Sequence, residues 1–191
     1  QTELRTLLNA IKHAKTDERI TMMVIDTSDL MPNGFTHLAE LKDAIADFKQ
    51  SGKKVIARGE WFAQSHYYLA AQADEVYLDP MGVVESDGFA KVRTYFKGAL
   101  DRLGVKMHVF RVGSFKSAVE PYTRDNMSEE DKTNTLKWMG ALWAGYKTDV
   151  AAARKLEPAA LQTYADEAAH QLTASKGDTA QMALAAKLVD G

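Results

Sequence analysis

Residues 20–25 read Ile-Thr-Met-Met-Val-Ile, a nearly unbroken apolar run of strand length and too short for an ordinary helix. A strand that is apolar on both sides must be covered on both faces, which is the situation of a sheet with crossover helices and not of a hairpin. The residues that follow fit that reading. Asp26-Thr27-Ser28-Asp29 opens a loop, and after Pro32-Asn33-Gly34 the residues Leu38, Leu41, Ile45 and Phe48 recur at helical spacing. Ser51-Gly52 then stops the helix before a second strand, Lys53 to Ala57. A strand, helix, strand unit of this kind confines the chain to an α/β fold with a largely parallel sheet and right-handed crossovers.

The remaining segments extend the pattern. Upstream, Leu4, Leu7, Leu8 and Ile11 fall on one stripe of a first helix ending near Asp17. Downstream, Trp61 to Ala73 reads as a helix, and Glu75 to Leu78 as a strand closed by a turn at Asp79-Pro80-Met81-Gly82. Val83 to Phe89 reads as a short extended piece. Val92, Phe96, Ala99, Leu100 and Leu103 mark a helix stopped by Gly104, and Val105, Met107 and Val109 alternate as in a half-buried strand running to Val112. The predicted sheet core is Ile20, Met22, Val24, Val55, Val76 and Val109, flanked by helices carrying Leu41, Ile45, Leu69 and Phe96.

After Pro121 the alternation gives way to helices. Ser128-Glu129-Glu130-Asp131 reads as an N-cap with acids in the first turn. Leu136, Met139, Trp143, Tyr146 and Val150 form the stripe of a long helix running toward Leu156, with Trp143 and Tyr146 suited to a core or a subunit contact. Pro158 starts a further helix, and Asp178 caps a last one carrying Met182, Leu184, Ala185 and Leu188. The expected organisation is a single domain over 1–191, with an α/β core over 1–121 and a helical extension, a C-terminal arm, over 122–191.

Composition removes several functions. The 191 residues carry a net charge of -2 with 46% hydrophobic and 26% charged residues, and no basic cluster is interleaved with aromatics, so nucleic acid is not expected as a partner. There is no cysteine, hence no disulfide framework or thiolate metal site. The scattered His13, His37, His66, His108 and His170 lack the helical spacing that holds zinc, so neither a metal nor another cofactor is expected. No apolar run approaches the ~20 residues that span a bilayer, and a start without methionine points to a fragment or processed chain. Phosphate-loop, dinucleotide and nucleophile-elbow patterns are missing. Ser65 and His66 are helix neighbours pointing about 100° apart, which favours surface or packing roles. Asp26 and Asp29 stand at a strand end, where α/β proteins often bind ligands, but such residues are more often turn residues.

The segment that stands apart is Val112-Gly113-Ser114-Phe115-Lys116-Ser117-Ala118-Val119-Glu120-Pro121. Lys116 follows a strand-like run and a glycine and is flanked by Phe115, Ala118 and Val119. Partial desolvation there would favour the neutral amine, which can act as a base. The competing reading is a solvated surface lysine, the commoner fate of this residue type.

Taken from Val109 to Pro121, that stretch resembles the lysine motif of bacterial signal peptide peptidase A, in the N-terminal half of its long, two-half form. The stretch Tyr67 to Pro80, Asn126-Met127-Ser128, Leu142-Trp143, Gly177 to Ala180 and Lys187 to Asp190 agree with the same family. The resemblance implies a Clp protease/crotonase-like fold and a serine/lysine-dyad peptidase of the bacterial inner membrane, acting on the periplasmic side on leftover signal peptides and other hydrophobic peptides. It makes Lys116 the general base. Where catalytic halves carry Ser-Gly-Gly, this chain reads Gln64-Ser65-His66, with glutamine at the nucleophile's place. The serine is therefore expected from a C-terminal half, the oxyanion donors with it, a homo-oligomer as the assembly and any membrane anchor outside these residues. Two other readings compete: a crotonase-type enzyme acting on acyl-CoA, and a non-catalytic assembly module in which Lys116 is structural.

Overall fold

The computed structural model describes residues 3–31, 34–113 and 115–191. They group into two compact units, one made of the residues up to Gly88 together with Tyr146–Gly191, the other of Phe89–Gly145. Position 121, the sequence-based boundary, lies inside the second unit.

In the first unit, α1 (Leu4–Thr16), β1 (Met22–Asp26), α2 (Phe35–Lys49), β2 (Lys54–Phe62), α3 (Gln64–Ala70) and β3 (Glu75–Val84) follow in order. The three strands are parallel in the order β1-β2-β3, the α/β architecture expected from the sequence. Helix α2 forms where its apolar residues recur, and Leu38, Leu41, Ile45 and Phe48 are all buried. Helix α1 packs on α2. Its last carbonyls are satisfied from outside, because the Lys53 ammonium donates to the carbonyls of Ala14 and Asp17, each at 2.7 Å. Phe48, Val55, Ala57, Phe62, Tyr67, Tyr68 and Val76 make the centre of the core.

Of the predicted core, Val55, Val76, Leu41, Ile45 and Leu69 are buried, and Ile20 and Val109 are half-buried. Met22 and Val24 are 46% and 54% exposed. The reason is the period of two along a strand: on edge strand β1 these residues face away from the helices, and Met23 and Ile25 take the more sheltered face. Phe96, also exposed, stacks on Tyr122 with ring centroids 6.0 Å apart.

The predicted helix from Trp61 is shorter than its pattern, since β2 continues through Phe62 and α3 covers only Gln64–Ala70. Conversely, β3 runs past the expected turn. Gly59 pairs with Leu78 and Trp61 with Val83, so Asp79, Pro80, Met81 and Gly82 stand opposite the single residue Glu60. The turn chemistry survives as an irregularity within a strand, a position where proline is tolerated. Gly82 is required there, because a Cβ would lie 2.6 Å from the Glu60 carbonyl oxygen.

The first unit is completed by α7 (Pro158–Asp166), α8 (Ala168–Ala174) and α9 (Thr179–Ala185), with α9 against β3. Asp178 caps α9 by accepting from the Gln181 N–H at 2.8 Å. The residues after α9 seal the free edge of β3. The Asp190 N–H donates to the Val76 carbonyl, and the Leu78 N–H donates to the Gly191 carbonyl, both at 2.8 Å.

The second unit contains α4 (Lys97–Arg102), α5 (Glu120–Thr123) and the N-terminal part of α6 (Glu129–Arg154). The expected strand over Val105–Val112 does not form; these residues are irregular, and Phe110 is 98% exposed. Alternation predicts a strand only where a partner edge and a covering layer exist, and the described residues supply neither. On α6 the predicted stripe is displaced at its start. Leu136 is exposed while Asp131 and Thr135 are buried, and the apolar stripe resumes at Tyr146 and Val150. Among the described residues no helix is long and apolar enough to cross a membrane.

Candidate functional site

Lys116 lies in the irregular segment that leads into α5, and it is exposed together with Phe115, Val112 and Arg111. The apolar neighbours in sequence therefore do not cover it within this chain. Gly113, at φ +99°, makes the sharp change of direction just before it, in a region that side-chain-bearing residues avoid. The Lys116 N–H points back to the Gly113 carbonyl at 3.4 Å, and its own carbonyl accepts from the Arg111 guanidinium at 3.0 Å. Ser114 lies outside the described residues. Among those described, no carboxylate pairs with the Lys116 ammonium.

Immediately after Lys116 the chain becomes firmly held. The Ser117 hydroxyl donates to Asp131 Oδ1 at 2.9 Å, and the Arg93 guanidinium donates to the carbonyls of Ser117 and Ala118 at 3.0 and 3.5 Å. Asp131 is only 3% exposed. Both its oxygens accept from Lys91 at 3.1 Å, and Arg93 stands 3.8 Å away. Burial pushes the Asp131 pKa up, but the bonds from Lys91 and Ser117 and the charges of Lys91 and Arg93 outweigh it and hold the group below the usual carboxylate value.

A second buried acid works in parallel. Glu120, 1% exposed, accepts from the backbone N–H of Ser128 at 3.1 Å and from its hydroxyl. Ser128 in turn caps α6 by accepting from the Asp131 N–H at 3.1 Å, the N-cap expected from the sequence. Sequence reading missed Asp131, Glu120, Arg93 and Lys91 as partners of the lysine segment. The available signal was a Ser-x-x-Asp cap whose acid does not reach back to the cap, and an acid beside Pro121.

The Gln64-Ser65-His66 stretch opens α3 in the first unit. The Gln64 side-chain oxygen accepts from the Gly88 N–H at 2.8 Å, and His66 Nε2 lies 2.9 Å from the Leu30 carbonyl oxygen. Both residues are thus engaged in holding loops. Asp26 behaves as a turn residue, accepting from the Ser28 N–H and hydroxyl and pairing with Arg58. The hydrogen bonds from Ser28, with Arg58 adding to them, keep its pKa below the ordinary carboxylate value against a small opposing effect of burial.

A parallel sheet with crossover helices, a lysine on a tethered loop and a glutamine at the first position of α3 are the features that the structure sets beside the sequence expectation. The chain belongs to peptidase family S49, whose pattern matches residues 47–191. It is 41% identical over its whole length to Protease 4 of Salmonella typhi, of which it covers 31%. It is 38% identical over 89% of its length to Protease 4 of Haemophilus influenzae, covering 28% of that protein. A chloroplastic serine protease SPPA of Arabidopsis thaliana is 26% identical over 54% of the chain and 15% of its own length. The chain thus spans less than a third of the length of these curated relatives.

Proposed function

We propose that this chain is the lysine-bearing part of a longer serine/lysine-dyad peptidase that degrades cleaved signal peptides and similar hydrophobic peptides. The observation that carries this reading is that Lys116 stands exposed and without a carboxylate partner among the described residues, on a segment held by hydrogen bonds to the buried Asp131 and from Arg93. Such a lysine has its backbone held and its amine open to a second component. The engaged side chain at Gln64, in the nucleophile's place, supports a serine supplied from elsewhere, by a C-terminal half of the same protein. In that arrangement the serine Oγ attacks the peptide carbonyl carbon as its proton passes to the Lys116 Nζ, and the ammonium then returns that proton to the leaving amine. The oxyanion donors belong beside the serine and so on the same half. Phe110, Val112 and Phe115, exposed around the lysine, are the surface that the second half covers, and covering them supplies the desolvation that favours the neutral amine. The full protein acts as an oligomer anchored at the bacterial inner membrane, with this part on the periplasmic side.

The test compares the full-length protein, its Lys116→Ala and Lys116→Arg variants and the isolated 191-residue chain on a leucine-rich signal-peptide substrate. Lys116→Ala is expected to lower turnover by about 10² to 10⁴ with little change in stability. Lys116→Arg should not rescue it, because a guanidinium does not accept a proton near neutral pH. The isolated chain should not cleave. Unchanged turnover in the alanine variant, or robust cleavage by the isolated chain, overturns the reading.

A further inference from the structure

A lysine amine ends a flexible four-carbon stem, so where it is presented depends on the backbone that carries it. Around Lys116 that backbone has no ladder to fix it, because residues 105–113 are irregular. Four contacts do the fixing. Two are local: the 3.4 Å turn bond to Gly113 and the Arg111 contact at the Lys116 carbonyl. The other two reach across to one residue. The Ser117 hydroxyl binds Asp131 directly, and Arg93, which grips the Ser117 and Ala118 carbonyls, stands beside the same carboxylate.

Asp131 is built into its place at both its backbone and its side chain. Its N–H is held by the Ser128 cap, its oxygens by Lys91, and Lys91 is fixed in turn by donating to the Thr135 hydroxyl at 3.0 Å. We infer that Asp131 is a positioning residue for the lysine chemistry, setting where the Lys116 amine is presented by clamping Ser117 directly and through Arg93. This rests on the reading of Lys116 as the general base. Proton transfer from a serine needs the amine within about 2.6–3.2 Å of the hydroxyl, and a misplacement of about 1 Å can cost ~10²-fold in rate. A clamp one residue from the base therefore acts on turnover more than on substrate binding, and it does so from a side chain that never meets the substrate.

The experiment uses the full-length protein with Asp131→Asn, Asp131→Glu, Ser117→Ala, the Asp131→Asn/Ser117→Ala double variant and Lys116→Ala, assayed on a leucine-rich peptide while thermal melting reports folding. Asp131→Asn should lower kcat about 10- to 100-fold with KM within about threefold, and Asp131→Glu, which keeps charge and acceptors, should recover most of it. Ser117→Ala should lose several-fold in kcat, and the double variant should be no slower than Asp131→Asn alone, because both remove one clamp. A folded Asp131→Asn protein with kcat within about twofold of the parent overturns the inference, as does a loss confined to melting temperature. Where Asp131→Asn does not fold, Ser117→Ala decides alone, and unchanged kcat there is equally fatal. An inactive Lys116→Ala beside a fully active Asp131→Asn removes this inference and leaves the base assignment standing. An active Lys116→Ala removes both.

Discussion

The two units are built on opposite rules. In the first, the buried side chains are overwhelmingly apolar, from Phe48 and Val55 to Tyr67, Val76 and Leu188. In the second, the buried residues among those described are Glu120, Pro121, Ser128, Asp131 and Thr135, while Phe110, Val92, Val112, Leu103 and Leu136 stand in water. The first unit is held by the removal of apolar surface, which is additive and not directional. The second is held by a satisfied polar network, which fixes geometry at the risk of large losses when one member is removed. An enzyme that must present one side chain at a set position gains from the second construction, and an outward apolar surface is what an interface requires.

The contrast can be broken or sharpened by substitution. The largest effect is expected at Phe48, fully buried under the sheet, where Phe48→Ala should cost about 3–5 kcal/mol in denaturant melts. The same change at Phe110 should stay within about 0.5 kcal/mol for this chain. Equal losses at the two positions would end the distinction between them. Next comes Glu120→Ala, which strands the Ser128 N–H and hydroxyl and should cost about 1–3 kcal/mol. Amide exchange should localise that loss to residues 117–131 and leave Val55 and Val76 protected; uniform loss of protection would mean the polar network also supports the sheet.

The smallest effect concerns acid. In Asp190, the Arg154 hydrogen bonds and charge, with the Val76 N–H adding, hold the carboxyl below its ordinary value against the opposing pull of burial. A group whose folded pKa is depressed contributes stability above its unfolded value of ~4 and loses it as the pH falls through the lower folded value. Melting temperature should therefore decline below pH ~4, and Asp190→Asn should remove part of that decline. Identical pH curves for the two proteins would show that the pair contributes nothing.

How much of this was legible in the sequence follows the same division. Helix α2, helix α9 with its Asp178 cap, and the strands around Val55 and Val76 were readable because each declares itself within a short window, by spacing or by a capping residue. Met22 and Val24 were misplaced because a continuous apolar run does not say which face meets the helices. The failures concentrate in the second unit. Val105 to Val112 alternates correctly and forms no strand, since pairing depends on residues elsewhere. The clamp on Lys116 was invisible because its members are far apart: Lys91 and Asp131 are separated by 40 positions and Ser117 and Asp131 by 14. Propensity reports on neighbours in sequence, and an ion pair reports on neighbours in space.

The bonds at the edge of β3 carry a consequence for how the protein is made. Tyr67 meets Leu188 across 121 positions and Val76 meets Asp190 across 114. A ribosome adding about 5–20 residues per second leaves that edge open for something on the order of ten seconds after β3 emerges. During that interval residues 89–145 are synthesised and can build their polar network before the β3 edge is closed. Birth order thus separates the closing of one unit from that of the other, and a nascent chain stalled before Leu188 would display an unsealed parallel strand edge, the surface most apt to pair with the wrong partner.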